Sequence, residues 1–440
     1  MKRRYTVLAA VIMAFALLVA ACGDSDSSGD ETTTTAGTEE TTTTAAETTT
    51  TTAAETTTTE ALPPLLVWAD EKRAPVITEV GMAFTEATGV ELQVEIVDFG
   101  SIKDEVITKG PAGEGPDIFI GAHDWVGELA SNGAVAALDL GSKAADFTDN
   151  GLRAVQWDTT QYGMPYATEA IAMYYNPDLV AEAPATIADL TAACDALEDG
   201  VECLVVPGGN DAGDAYHHQM FITAFGGQLF AYDAETGYNG EEVLLNAEQT
   251  VAGATLLEEL VADGYVPSTN YGDAKNLFVT GEAAFWFTGP WEVGSLNNAE
   301  ENTGAPNWSV ATMPTVDGNA MAPHVGIQAF FQSAYAQNAA LASAFLLDYI
   351  ATDEVMLALY EADPRGSAFK STIATIASDP VAETFAASAA TGTYMPNIPE
   401  MGSVWGPVGD NFLLLRNGEI DGATAAVTAH DQVVAAITGG

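Results

Sequence analysis

Basic residues are scarce in this chain of 440 residues. It contains 13 Lys and Arg against 62 Asp and Glu, which gives a formal net charge of −49 at pH 7. Because so negative a surface repels phosphate groups, nucleic acids and anionic lipid headgroups are excluded as expected partners. The charge is compatible with a neutral ligand, or with a protein partner in a salty medium.

The usual catalytic motifs are also missing. The sequence has no GxSxG nucleophile elbow, no HExxH zinc motif, no GxxxxGK[ST] phosphate loop and no EF-hand loop. The segment Gly113-Glu114-Gly115-Pro116 imitates a dinucleotide-binding loop, but it precedes its strand and lacks the third glycine. The adjacent pair His217 and His218 would diverge on a helix. We therefore expect no metal and no cofactor.

The chain starts with three basic residues and an apolar run from Val7 to Leu18. This run is short for a membrane span, and it ends at Val19-Ala20-Ala21-Cys22, the pattern of a lipobox. We interpret residues 1–21 as a lipoprotein signal peptide and Cys22 as the lipid anchor, the alternative being an ordinary cleaved signal. The mature protein is then expected on the extracellular face of the cell membrane, or in the periplasm.

Cysteine is rare, with three in the whole chain. Besides Cys22 these are Cys194 and Cys203, which are nine positions apart. In an exported protein a local disulfide is the natural interpretation, and two free thiols are the alternative. Zinc is not expected, because two cysteines without a nearby histidine pair do not make a ligand set.

Composition divides the chain in two. Residues 22–62 are almost entirely Thr, Glu, Ala, Ser, Gly and Asp, which cannot bury enough apolar surface to offset the entropy of ordering, so they predict a disordered tether. From Pro63 onwards the composition is globular, and its length exceeds what one hydrophobic core usually supports. We expect two interwoven lobes.

Strand and helix patterns alternate after Pro63, which predicts an α/β fold with buried parallel strands. In such sheets, ligands bind beyond the carboxyl ends of the strands, where Asp70, Glu71 and the segment from His123 to Trp125 would fall. The predicted elements of this first part are a strand at 65–68, a helix at 76–87, a strand at 92–97, a helix at 102–108, a strand at 117–121 and a helix at 125–131.

Two later segments have helical periodicity. The first, Ala339 to Glu361, is interrupted near Ala351, and we expect Thr352 or Asp353 to cap a second helix there. The second runs from Ile420 to Ile437.

Aromatic residues close to carboxylates are the informative feature. A sugar presents apolar C–H faces that stack on Trp or Tyr, and hydroxyls that donate to Asp and Glu, so a neutral oligosaccharide site needs both. Trp68 follows three apolar residues and is expected in the core. Glu169 lies in an apolar stretch, where burying a carboxylate is costly, so a functional role is expected for it. The other candidates are Asp70-Glu71-Lys72, His123-Asp124-Trp125, Asp214-Ala215-Tyr216, Tyr271, Gly289-Pro290-Trp291 and Val404-Trp405.

A set of short motifs extends along the globular part: Glu79-Val80-Gly81, Gly115-Pro116-Asp117-Ile118, Ala122-His123-Asp124, Tyr174-Tyr175-Asn176-Pro177-Asp178-Leu179, Phe278-Val279-Thr280-Gly281-Glu282-Ala283-Ala284, Gly289-Pro290-Trp291 and Met395-Pro396-Asn397-Ile398-Pro399. In this order and spacing, from about Pro63 to Ile437, the chain resembles the maltose/maltodextrin-binding proteins, family 1 extracellular solute-binding proteins of ABC importers. The resemblance implies a two-lobe periplasmic-binding-protein fold of type II, with lobe 1 at 63–167 and 328–372 and lobe 2 at 168–327 and 373–440. A hinged cleft between the lobes would hold an oligosaccharide.

The resemblance also implies roles for the candidates. Asp124 and Glu169 match carboxylates that bind glucose hydroxyls, and Glu71 with Lys72 falls where the family has an acidic-basic pair, with Asp70 beside them. The aromatic platforms of the second lobe are matched by Tyr216, Trp291 and Trp405, with Asp214 and Tyr271 as hydrogen-bonding partners.

Departures from the family pattern matter for the ligand. Trp125 stands where the well-studied maltose binder has an arginine, while Gly121, Val293 and Gly406 stand where it has aromatic residues. The two aromatic residues expected to stack on the central sugar units are therefore present, whereas the residues at the two ends of the site differ from those of the family. An α-glucan ligand is therefore expected, with chain length and linkage open, and trehalose, a cyclodextrin or another disaccharide as alternatives.

The sequence thus predicts a lipid-anchored, monomeric, non-enzymatic receptor for a neutral α-glucoside that serves the permease subunits of an ABC transporter. The chief alternative is a secreted glycoside hydrolase that uses two of the same carboxylates. A third is an adhesive or scaffold protein with a vestigial cleft.

Overall fold

The structure is a computed structural model that describes residues 62–209 and 212–439. The predicted signal peptide, the proposed anchor Cys22 and the tether as far as residue 61 lie outside the described residues. Within the described ranges, no helix combines the length and the apolar composition that crossing a bilayer requires.

The described residues form a mixed α/β structure, which confirms the predicted class. The strands are β1 (Leu65–Ala69), β2 (Leu92–Ile96), β3 (Ile118–Ala122), β4 (Gln156–Trp157), β5 (Thr160–Gln161), β6 (Gly163–Ala170), β7 (Ala172–Tyr175), β8 (Glu202–Val205), β9 (Phe230–Asp233), β10 (Gly237–Val243), β11 (Ala283–Thr288), β12 (Ser309–Ala311), β13 (Thr315–Val316), β14 (Asn319–Ala320), β15 (His324–Gln332), β16 (Gly366–Ser367) and β17 (Thr393–Tyr394). The α-helices are α1 (Ala74–Thr88), α2 (Phe99–Lys109), α3 (Val126–Ser131), α4 (Asp149–Ala154), α5 (Ile187–Cys194), α6 (Ala215–Thr223), α7 (Glu248–Ala262), α8 (Tyr271–Val279), α9 (Val293–Asn297), α10 (Ala339–Ala344), α11 (Asp353–Ala362), α12 (Lys370–Ile376), α13 (Pro380–Thr391), α14 (Trp405–Arg416) and α15 (Gly422–Thr438).

Local sequence explains where several helices begin. Asp98 accepts a hydrogen bond from the backbone of Gly100, so α2 starts at Phe99, three residues before the predicted start. Thr352 accepts from the backbone of Val355 and caps α11, as the sequence predicted. Between α10 and this cap the chain forms a π-helical segment, Phe345–Ile350, which the periodicity did not predict.

The first sheet has the strand order β16-β6-β15-β3-β1-β2, and β17 pairs with β15. Strand β1 is parallel to both β2 and β3, whereas the long strand β15 is antiparallel to β3 and β6. Val67 lies opposite Ile118, and both are fully buried. The carboxyl ends of β1 and β3 therefore lie side by side at one edge of the sheet, with Asp70 and His123 as the next residues.

The second sheet has the order β12-β7-β11-β8. Strand β11 is antiparallel to β7 and parallel to β8, and every residue of β11 is buried. Such a strand is apolar throughout because both faces are covered. The sequence Ala283-Ala284-Phe285-Trp286-Phe287 meets this requirement.

Each sheet has its own core, so the fold has two lobes. One apolar cluster is built from residues 65–167 and 327–369, and two others from residues between 171 and 433. The chain passes from the first sheet to the second between Ala170 and Ala172, so one residue, Ile171, separates the two strands there.

Cys194 and Cys203 form a disulfide with a Cα–Cα distance of 5.2 Å. Cys194 is the last residue of α5 and Cys203 lies in β8, so the bond ties a surface helix to the edge of the second sheet.

The Cys194→Ser variant is expected to lose about 2–3 kcal/mol of unfolding free energy, because a loop of this length no longer restricts the unfolded chain. Guanidinium unfolding would measure the loss. The Cys194→Ser/Cys203→Ser double variant, which has no free thiol at these positions, serves as the control. It should have the same unfolding midpoint as the single variant. A wild-type midpoint in the single variant would show that the bond adds no stability.

Candidate functional site

The carboxyl end of β3 supplies the first polar group of the site. Asp124 follows β3 in a 3-10 turn, His123–Trp125, and is 6 % exposed. Burial raises its pKa to about 6, against the opposing effects of Lys103 and of a hydrogen bond with Trp405. The carboxylate therefore has little water around it and is available to hydroxyl donors.

Trp125 packs within its own lobe. Its ring lies 5.0 Å from that of Phe99, and a Cβ added to Gly121 would come within 2.6 Å of the indole. The indole therefore occupies the space above Gly121, a position where the resemblance implied an aromatic residue.

Three aromatic rings form the opposite wall. The ring of Tyr216 lies 5.8 Å from that of Trp291 and 6.5 Å from that of Trp405. Trp291 packs flat on Gly289, where a Cβ would come within 2.0 Å of the ring, so no other residue fits there. These are the three aromatic residues that the sequence assigned to the second lobe, and they lie together.

A chain of hydrogen bonds fixes the orientation of Trp291. Its indole donates to the Tyr271 hydroxyl at 2.6 Å, and this hydroxyl donates to Glu292. Lys275 lies 3.2 Å from the other oxygen of Glu292. Burial and the neighbouring Glu292 raise the pKa of Tyr271 well above its ordinary value, so the phenol stays protonated. The platform is thereby held in one orientation without a ligand.

Glu169 lies at the junction of the two sheets, near the end of β6, and is 6 % exposed. It accepts a hydrogen bond from Gln328 at 2.9 Å and forms an ion pair with Arg365. This pairing explains why a carboxylate is tolerated in an apolar strand.

A cluster of paired charges closes the site on the side of the first lobe. Asp363 is 2.5 Å from Arg73 and 2.5 Å from Arg365, and 3.4 Å from Lys72. Asp70 pairs with Arg73 at 3.0 Å and accepts from the backbone of Lys72. Three cations thus face three carboxylates when Glu169 is included, and the cluster has no formal net charge.

Two of these cations reach Trp291 in the other lobe. Lys72 donates to its backbone carbonyl at 2.7 Å, and the guanidinium of Arg365 lies 5.3 Å from its ring centroid, a cation–π distance. Trp291 is therefore one of the points at which the two lobes contact each other.

Two further predicted residues, Glu71 and Asp214, have different surroundings. Glu71 is exposed and makes no hydrogen bond or ion pair with a described residue, while Lys72 pairs with Asp363. Asp214 caps α6 and pairs with His217 at 2.7 Å; burial tends to raise its pKa, but His217 lowers it overall. Asp214 thus supports the wall from behind.

Sequence reasoning missed Arg73, Asp363 and Arg365. Asp363 is 290 positions from its partner Arg73, and no local pattern links them. A signal was available in Asp363-Pro364-Arg365, where two charges flank a proline after an apolar helix. Within the described ranges, no group of three His, Cys, Asp or Glu residues is arranged to hold a metal ion.

Comparison with known proteins points to one family. The profile described as bacterial extracellular solute-binding protein matches residues 79–387. A galactooligosaccharide-binding protein of Bacillus subtilis is 26% identical over 394 residues, which cover 85% of this chain and 90% of the relative. A maltotriose-binding protein of Pyrococcus abyssi is 28% identical over 322 residues, covering 68% and 65%. A maltooligosaccharide ABC transporter solute-binding lipoprotein of Streptococcus pneumoniae is 27% identical over 378 residues, covering 82% and 86%.

The matched profile spans most of both lobes, including Asp124, Glu169 and Trp291, and the relatives cover most of the chain. With two cores, short connections between them and an aromatic and acidic site where the lobes meet, this chain belongs to the family of bacterial extracellular solute-binding proteins.

Proposed function

We propose that this protein is a receptor that captures a neutral malto-oligosaccharide between its lobes and delivers it to the permease subunits of an ABC transporter. The observation that carries the proposal is the cluster of Tyr216, Trp291 and Trp405 beside the buried carboxylate Asp124. Stacking surfaces and hydroxyl acceptors in one place are what a neutral sugar requires.

Each group has a proposed role. Trp291 and Trp405 stack on sugar rings, and Asp124 accepts hydroxyl hydrogen bonds. Glu169 also accepts hydroxyl hydrogen bonds, and Arg365 balances its charge. Lys72 donates to ring or hydroxyl oxygens of the sugar. Because the paired cluster carries no net charge, it suits an uncharged ligand.

Lobe closure is the proposed mechanism. We assign lobe 1 to 63–167 and 328–372, and lobe 2 to 168–327 and 373–440. The apolar cores support this assignment, because one is built from residues 65–167 and 327–369 and the others from residues between 171 and 433. A sugar that touches both Asp124 and Trp291 binds the closed form better than the open form, and so shifts the population towards closure. The closed monomer is the form that the permease would recognise.

The lipid anchor at Cys22 belongs to the same proposal. It is supported by the lipobox pattern and by the printed name of the pneumococcal relative, a lipoprotein. The protein would then work on the extracellular face of the membrane.

Titration of the purified protein tests the proposal. We expect saturable binding of maltotriose at about 1 μM, corresponding to about 8 kcal/mol, by calorimetry. Maltose, trehalose and a galacto-oligosaccharide complete the panel; the last represents a second candidate ligand, favoured by the name of the Bacillus relative. Failure of folded protein to bind any of them would refute a sugar receptor of this class.

The same samples distinguish a receptor from a glycoside hydrolase. A receptor returns maltotriose intact after prolonged incubation, whereas a hydrolase shortens it. Chromatography of the recovered sugar decides between them.

Sugar affinity should fall in mild acid because the pKa of Asp124 is raised to about 6. The ionised carboxylate accepts hydroxyl hydrogen bonds at both oxygens, and protonation removes its charge and part of this acceptor capacity, so affinity is high above this pKa and falls below it. Between about pH 7.5 and about pH 5 we expect roughly a tenfold weakening. Calorimetry across this range measures it, and a flat profile would show that Asp124 does not bind the sugar as an anion.

A further inference from the structure

A second cavity lies behind the sugar site. It has a volume of about 790 Å³ and is bordered by α4, by the end of α6, by the β9–β10 hairpin and by the segment around β17. His324 lines it, and the same ring lies 5.8 Å from Tyr216 and 5.7 Å from Trp405. The histidine therefore stands between the cavity and the aromatic wall of the sugar site. Cavities of this size hold small organic ligands.

The wall of this cavity contains unpaired polar groups. Gln219 and His324 are each 2 % exposed, and among the described residues Gln219 Oε1 and His324 Nδ1 have no hydrogen-bond partner. Buried polar atoms are normally satisfied, so exceptions at a cavity indicate that a ligand or water completes the site. Neither residue is needed for the proposed sugar contacts.

The charge of the lining differs from that of the rest of the protein. No Asp or Glu is among the described residues that line the cavity, although the chain contains 62 of them. Burial lowers the pKa of His123 to about 4 and that of His324 to about 3, so both are neutral. Arg153 is then the one charged side chain in the lining; it is exposed, bonds to Asn150 and forms no ion pair with a described residue.

Aromatic residues form another part of the lining. The rings of Tyr232 and Tyr238 lie 4.8 Å apart, and Tyr232 is 59 % exposed. The Tyr238 hydroxyl is already used, since it donates to the carbonyl of Tyr394 at 2.8 Å. The two rings are inclined at 56° to each other, so they form an angled apolar surface on which the exposed ring of Tyr232 is open to a ligand.

This combination favours an anionic ligand over a second sugar, because Arg153 can pair with a ligand carboxylate and no described lining residue carries a negative charge that would repel it. We propose that the cavity binds a small organic carboxylate with a flat apolar ring, its carboxylate paired with Arg153 and its ring against Tyr232 and Tyr238. The site is distinct from the sugar site and does not depend on which sugar binds there.

Calorimetry with 4-hydroxybenzoate tests this proposal on the full-length protein. We expect saturable binding that saturating maltotriose does not displace. The uncharged analogue 4-hydroxybenzyl alcohol should bind at least tenfold more weakly. The Arg153→Gln variant should lose at least tenfold in affinity, whereas Lys109→Gln, the same loss of charge at an exposed residue outside the cavity, should not. Ala320→Trp, which fills the cavity from its rim, should abolish binding.

Absence of saturable binding at millimolar 4-hydroxybenzoate would overturn the proposal, as would displacement by maltotriose or equal binding of the alcohol. Unchanged affinity in Arg153→Gln would also overturn it. Because maltotriose binding is measured separately, failure of this site is distinguishable from failure of the sugar receptor.

Discussion

Replacing Trp291 by alanine is expected to weaken maltotriose binding at least 100-fold, or about 2.7 kcal/mol. This indole is held by three contacts. It packs on Gly289, donates to Tyr271 and lies under the guanidinium of Arg365. Aromatic anchors that are partly buried and oriented in advance, as Trp291 is, carry a large share of binding energy. Calorimetric titration of the variant measures the loss.

The matched control is Trp308→Ala. Trp308 packs against Tyr174 in a separate apolar cluster of the second lobe, with ring centroids 5.6 Å apart. Its removal should lower the unfolding free energy by about 1–3 kcal/mol, as the loss of a partly buried aromatic does, and leave the sugar affinity unchanged. If Trp291→Ala retained affinity within about threefold of wild type, Trp291 would not be a sugar platform.

The Asp124→Asn variant should bind maltotriose about 30-fold more weakly near neutral pH, because a charge-assisted hydrogen bond contributes about 1.5–3 kcal/mol. The amide keeps the size of the side chain but accepts at one atom and carries no charge. The variant should also lose the pH dependence expected of the wild type. Titrations at several pH values measure both effects.

Stability provides a second measurement for Asp124. A carboxyl whose pKa is raised by folding destabilises the folded protein where it is ionised, at pH values above its folded pKa of about 6. Asp124→Asn removes this cost, so the sugar-free variant should melt at a higher temperature than the wild type at neutral pH. Asp104→Asn, at a residue whose side chain is 79 % exposed, is the control and should change neither affinity nor melting. Lower stability together with wild-type affinity would make Asp124 a structural residue.

Local sequence patterns predicted the elements that local forces decide. Thr352 was predicted as a possible cap and does cap a helix, and Trp68, predicted in the core, is 2 % exposed. Boundaries were less accurate, since α2 begins at Phe99, where Asp98 provides a cap that the apolar spacing does not reveal. The π-helical segment from Phe345 was missed because it shares its apolar composition with an ordinary helix.

The sequence predicted the types of residue in the candidate site better than it predicted the contacts between them. The adjacency of aromatic and acidic residues, together with the family motifs, pointed to Tyr216, Trp291 and Trp405, and the structure places these rings together. Glu71 and Lys72 were predicted together because they match an acidic-basic pair of the family. Successive side chains of the turn point in different directions, so Glu71 is exposed while Lys72 extends towards Trp291.

By itself, the sequence determined the acidic character of this protein, its alternation of strands and helices, and the aromatic and carboxylate groups that suit a sugar. These properties depend on composition and on residues close along the chain. The tertiary structure alone decided that Asp363 balances Arg73, that Arg365 neutralises Glu169 and lies over Trp291, and that a cavity without carboxylates lies behind His324. Such pairings join residues far apart along the chain, and they form only when the fold brings these charges together, because a buried charge left without its partner is strongly destabilising.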